Sequence, residues 1–313
     1  MEDIVLNKNE DLKRPTLLGF NKRKILKKAT AYGYILPIGI LLISFYVIPI
    51  IMSVYFSFTK YNIMAPAKFV GIKNYLNLTQ DKMFIASLKN TIVYTAGVVP
   101  LQTSIALLMA VWITKREKSR LNEFVKGAMF VPVISSMILI GIVWRIFLNG
   151  DTSPLNIIFT HLGFNAPNWI GNPKLALPTL MGISIWKNVG YFMVIYISAI
   201  MDIPKSYYES ARVDGASKLH EFFYITVPLL KPTTIMVVFL GCIWSLQTFD
   251  LVYTLTGGGP GVSTMTMVLH IYNLVFKQFR AGYAMAVANV LFLLIAIISI
   301  LQRKLLQKDK SIY

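Results

Sequence analysis

Charge is what this chain has least of. Only 14% of its 313 residues are Asp, Glu, Lys or Arg, against about 25% in a typical soluble domain. Acidic groups are the scarcer kind, 14 against 31 basic ones, which leaves a formal net charge of +17. The shortage excludes an ordinary soluble fold. There is one cysteine, Cys242, so an internal disulfide is excluded, and inside an apolar run it reads as a small packing residue. The three histidines, His161, His220 and His270, fall in different loops or helix ends, too scattered for a metal cluster. The glycine run of Leu255–Gly261 is not followed by Lys-Ser/Thr and lacks a strand–helix setting, so it is a turn and not a phosphate loop.

What the chain does have is apolar residues, 55% of the total, gathered in blocks of roughly 20 or more. Blocks of that length cross a hydrocarbon core. Six spans are expected, at about 32–58, 88–114, 125–148, 174–199, 231–255 and 282–302, in an all-α polytopic membrane protein. Three parts follow: a basic N-terminal segment 1–30, a transmembrane domain 31–302, and a tail 303–313. Within 1–30, Lys22, Arg23, Lys24, Lys27 and Lys28 precede the first block as a positive anchor or a basic interfacial helix. No small-residue cleavage site follows a short apolar core, so no cleaved signal peptide is expected.

The basic residues sit in alternate loops, which is a membrane-topology pattern and not a nucleic-acid surface. The second loop carries Lys115, Arg116, Lys118, Arg120 and Lys126; the fourth carries Lys205, Arg212 and Lys218; the tail carries Arg303, Lys304, Lys308 and Lys310. The third loop, 149–173, has none, and the fifth has only Lys277 and Arg280. The first loop, with Lys60, Lys68, Lys73 and Lys82, runs against the trend. The balance puts both termini and the fourth loop in the cytoplasm, with the spans in contact with membrane lipid.

That fourth loop, 203–228, carries helix signals of its own. Pro204 suits a first turn, and Ser206–Asp214 reads as a short helix with Tyr208, Ala211 and Gly215 along one side. Glu209 and Arg212, three apart, are placed to pair on its surface. Gly215 ends it in a left-handed conformation, Ser217 caps a second helix, and Glu221 lies in that helix's first turn. Pro228 and Pro232 bracket the return to the membrane. The product is a helix–glycine–helix knob between spans four and five.

This stretch resembles the EAA motif of importer permeases of the ATP-binding cassette (ABC) superfamily: Glu-Ala-Ala, three residues, Gly, nine residues, Ile, one residue, Leu-Pro. Glu209, Ala211, Gly215, Ile225 and Pro228 stand at the matching positions; Ser210 and Val227 replace an alanine and the leucine. The runs Trp186–Pro204, Thr248–Gly261 and Phe279–Leu294 look like the maltose-type, carbohydrate-uptake branch. The resemblance implies a type I importer permease, not itself an enzyme. Tyr208, Glu209, Ala211, Arg212, Asp214, Gly215 and Ala216 would contact a separate ATPase. It also implies two cytoplasmic ATPase subunits that hold the ATP and magnesium, a second related permease, and an extracytoplasmic solute-binding protein.

Polar residues inside spans are costly and mark candidate solute contacts. Lys187, Asn188 and Tyr191 cluster in span four, and Trp244, Ser245 and Thr248 share a face of span five with Gln247 adjacent; Asn289 lies in span six. Aromatic stacking from Tyr191 and Trp244 with hydrogen bonds from Asn188, Ser245 and Thr248 suits a sugar, and the resembled permeases use the same two spans. Lys187 at the solute path favours an anionic sugar, the alternative being that it snorkels outward. Arg145 and Asp250, near span ends, read as interface or partner anchors. A carrier driven by an ion gradient would need paired intramembrane carboxylates or a visible repeat, and apart from Asp250 the spans hold essentially no acidic residue.

Overall fold

A computed structural model of the chain describes residues 32–115, 120–150 and 153–309, with side chains to 304. The basic segment before span one, Arg116, Lys118 and Lys310 lie outside the described residues. The first apolar block forms one helix, α1 (Tyr32–Ser57), with a π turn at Ile43–Val47 between Pro37 and Pro49. The chain divides into two compact units after Met52, and the α1 part of the first unit is apolar all round.

The second unit is helical apart from a two-rung antiparallel ladder, β1 (Thr59–Lys60) with β2 (Lys68–Phe69). A short α2 (Lys73–Leu78) leads to α3 (Lys82–Thr114), the long central helix. Asp81 caps α3 by accepting hydrogen bonds from the backbone N–H groups of Met83 and Phe84, and it takes a third from the Tyr283 hydroxyl at 2.8 Å. The third apolar block is broken: α4 (Arg120–Ile134) and α5 (Met137–Leu148) meet at 101°. Pro132, Ser135 and Ser136 stand at the break, where Ser136 is extended. A small α6 (Pro154–His161) follows in the third loop.

Span four is a single helix, α7 (Ala176–Met201). The knob consists of α8 (Lys205–Val213) and α9 (Lys218–Leu229), and α9 meets α10 (Lys231–Leu246) at 66°. The expected fifth span, 231–255, is not one helix. It stops at Leu246 and resumes as α11 (Asp250–Leu255). The fifth loop also carries a helix, α12 (Met267–Lys277), before α13 (Ala281–Asp309). Four described helices are long and apolar enough to cross a membrane, and the two bent pairs bring the crossings to six when each counts as one.

Lipid tails are as apolar as leucine, so helix association here rests on close packing rather than on expulsion of water. Small residues provide it. A Cβ on Gly190 of α7 would lie 2.1 Å from the Met129 carbonyl oxygen of α4. Ala106 and Ala110 of α3 are fully buried beside Val189, Phe192 and Met193 of α7. The glycine turn of the fifth loop uses positive φ at Gly257, Gly258 and Gly261, and Asn90 of α3 pins it by donating to the carbonyls of Val262 and Met265.

Candidate functional site

The knob is built from two local devices and two braces. At the end of α8, Gly215 adopts φ +82. Its N–H donates to the Arg212 carbonyl at 3.0 Å and the Ala216 N–H donates to the Ala211 carbonyl at 2.9 Å. This is the paired closure of a Schellman turn, for which glycine is the favoured residue. Ser217 then starts α9, its hydroxyl accepting from the His220 N–H.

The braces cross the bend. Arg212 Nε donates to Glu221 Oε1 at 2.7 Å. The Tyr208 hydroxyl lies 3.0 Å from Thr226 Oγ1. The expected Glu209–Arg212 pair is therefore replaced: the bend returns Glu221 to the last turn of α8, where the guanidinium takes it. Glu221 is buried while Arg212 stays exposed. The Arg212 hydrogen bond, aided by the nearby Lys115 and Lys218 charges, holds the Glu221 carboxyl below its ordinary range, against the opposing effect of burial. Tyr208, Ala211 and Ala216 are half-buried along the knob, while Glu209, Asp214 and Gly215 are exposed. Val213 at the tip is 88% exposed, and Leu219 and Tyr224 are 71% exposed each.

The second feature is a cavity of about 300 Å³ between α7 and the α10–α11 break. Lys187, Asn188, Trp244, Ser245 and Thr248 all line it. Tyr191 does not; it packs behind Trp244, ring centroids 5.0 Å apart. Thr248 sits in the break and not on the helix face with Trp244 and Ser245, yet reaches the same cavity. Asp250 also lines it. Asn289 is elsewhere, bonded to Ser53 and Tyr75. Sequence reasoning missed Met137, Ser184, Phe249 and Leu251 as lining residues. Ser184 carried a signal, since it lies one turn before Asn188 and accepts from its amide at 3.4 Å.

Lys187 has a partner that the sequence did not reveal. Its Nζ donates to the Val133 carbonyl at 3.2 Å, one residue before α4 ends. A broken helix in an apolar setting frees carbonyls that need donors, and Lys187 supplies one while its ammonium also faces the cavity.

With the knob and cavity placed, comparison with known proteins is informative. Residues 102–310 match the family described as binding-protein-dependent transport system inner membrane component. The chain is 32% identical over 264 residues to the sulfoquinovosyl glycerol transport system permease SmoG of Agrobacterium fabrum, covering 82% of this chain and 84% of the relative. It is 31% identical over 281 residues to the arabinooligosaccharides transport system permease AraP of Bacillus subtilis, covering 89% of each. The fold is similar to that of a bacterial ABC transporter involved in the import of the acidic polysaccharide alginate, with a TM-score of 0.82 at 22% identity over 91% of this chain and 98% of the other. The chain thus belongs to the family of inner membrane components of binding-protein-dependent transport systems, as a multi-pass permease of an ABC importer.

Proposed function

We propose that the chain is one of two related permeases forming the path for an oligosaccharide, and that its knob receives work from a cytoplasmic ATPase. One observation carries this reading: the two spans that line the cavity, α7 and α10, are the two that the braced knob joins. A displacement of the knob therefore acts on both cavity walls. ATP and magnesium belong to the partner ATPase subunits, an extracytoplasmic protein delivers the solute, and both termini lie in the cytoplasm.

The cavity chemistry supports a carbohydrate. Trp244 offers an aromatic face, and Asn188, Ser184, Ser245 and Thr248 offer amide and hydroxyl groups. Relatives named for sulfoquinovosyl glycerol and arabino-oligosaccharides span charged and neutral sugars. Lys187 at the cavity wall favours the anionic kind. The competing role, also supported by a bond, is closure of the α4 break at Val133.

Deleting the chain in its native cell and measuring uptake of labelled neutral and acidic mono- to pentasaccharides tests the function. Loss of at least one carbohydrate uptake is expected, and full uptake of all of them contradicts it. Restoring the chain as Lys187→Gln separates the two roles. A charge role predicts about tenfold slower uptake of an acidic sugar with neutral uptake kept. A purely structural role predicts equal loss for both.

A further inference from the structure

The cavity is small for the solute assigned to it. Its volume of about 300 Å³ stands at the lower end of the roughly 300–1,000 Å³ of ligand sites, so a chain of several sugar units must run on beyond it. The fold offers a surface at one edge. Phe249 lines the cavity, and its ring centroid lies 5.3 Å from that of Tyr253 on α11 and 5.2 Å from that of Tyr272 on α12. Tyr253 and Tyr272 are 5.4 Å apart, and Phe276, further along α12, adds a fourth ring 4.9 Å from Tyr272. Phe249 and Tyr272 are half-buried and pack against the core cluster that includes Leu251, Leu255 and Leu269. Tyr253 is 44% exposed and Phe276 64%. The four rings therefore lead from the cavity edge to the surface, beyond the end of α10 remote from the knob.

We propose that these rings form a second sugar subsite, which takes the units of an oligosaccharide that the cavity cannot hold. The C–H face of a sugar ring is apolar and packs on an aromatic face, which carries the negative side of the ring quadrupole. The phenol O–H groups of Tyr253 and Tyr272 both donate and accept, as sugar hydroxyls require. Continuity with the cavity through Phe249 decides the kind of occupant. A lipid tail laid across the rings would end against Lys187, Asn188 and Asp250, whereas a sugar chain suits both the rings and that polar wall. Core packing already fixes Phe249 and Tyr272, so binding orders few side chains. The cavity reads the unit inside it, and the rings add contact with each further unit, so the pair selects for chain length.

The inference rests on the cavity being the sugar path, and the test separates the two. The complete transporter, with both permeases, the ATPase and the binding protein, is reconstituted in liposomes. The probes are the shortest and longest members of the mono- to pentasaccharide series that the wild type carries, each supplied as fully loaded binding protein. Tyr253→Ala with Phe276→Ala is expected to lower the ratio of long to short uptake rates about tenfold, the loss of two aromatic contacts. Tyr253→Phe with Phe276→Tyr keeps both rings and is expected to hold that ratio within about twofold of wild type. An unchanged ratio in the alanine pair overturns the inference, whether both rates hold or both fall together. So does loss of the second permease on purification of the alanine pair, which marks the rings as a subunit contact. A wild type that carries monosaccharides alone overturns it too, and leaves the carbohydrate reading standing. Trp244→Ala is the control: wild-type uptake of every length there sinks the path itself. Impaired Trp244→Ala beside an unchanged ratio in the alanine pair sinks only the second subsite. A transporter that carries no panel sugar overturns the carbohydrate reading and this inference with it.

Discussion

Arg212 and Glu221 show how a single pair can decide whether a protrusion is stiff or loose. A buried carboxylate stripped of its partner costs more than the pair gained, because the remaining charge stays desolvated. Arg212→Ala is therefore expected to cut uptake about tenfold, and Glu221→Gln placed on top of it recovers part of the loss by removing the stranded charge. Uptake of the single and double variants, normalised to their membrane abundance, checks this. The sign of the pH dependence follows from the depressed Glu221 carboxyl. Its contribution is present in full above the ordinary carboxylate value of about 4 and is lost as pH falls through the lower folded value. Melting temperatures of the purified wild type should thus show no Glu221 contribution to any change between pH 6 and 8. The gap between wild type and Glu221→Gln closes only in acid.

At the scale of elements, the knob owes its shape to Gly215. Nothing lies within 4 Å of where its Cβ would stand, so space is not the constraint; the backbone at φ +82 is. A β-branched residue there costs about 1–2 kcal/mol or more, whereas asparagine visits this region readily. Gly215→Val is expected to lower co-purification with the ATPase severalfold, and Gly215→Asn to stay near wild type. Equal behaviour of the two would mean the turn is not what the ATPase reads. The knob was legible in sequence because Pro204, Gly215 and Ser217 each act locally, through the first turn, the left-handed stop and the cap. The breaks at Ser135–Ser136 and Gln247–Phe249 were not legible. Their apolar flanks read as continuous spans, and what holds each bend comes from elsewhere in the chain: Lys187 bonds the Val133 carbonyl, and Thr266 bonds the Thr248 carbonyl. The same reason hid the Glu221 partner of Arg212. Periodicity points to neighbours three apart, and the glycine bend brings a residue nine apart closer still.

For the whole molecule, the account places α7 and α10 as levers: the knob at one end, the cavity between them, and α3 packed against both. Six predicted solute residues came from two short sequence clusters, and five of them line one cavity: Lys187 and Asn188 from α7, Trp244 and Ser245 from α10, and Thr248 from the break after it. Ser184 joined that wall without being foreseen, although it lies one helical turn before Asn188. The central claim is that the tip of the knob is in the cytoplasm and seated on an ATPase. It is tested most directly by Val213→Cys in a Cys242→Ser background, with a membrane-impermeant maleimide as the probe. The account predicts no labelling in intact cells, strong labelling in inverted vesicles stripped of the ATPase, and protection when the ATPase is bound. Labelling from outside intact cells would contradict it, as would labelling in stripped vesicles that the ATPase leaves unchanged.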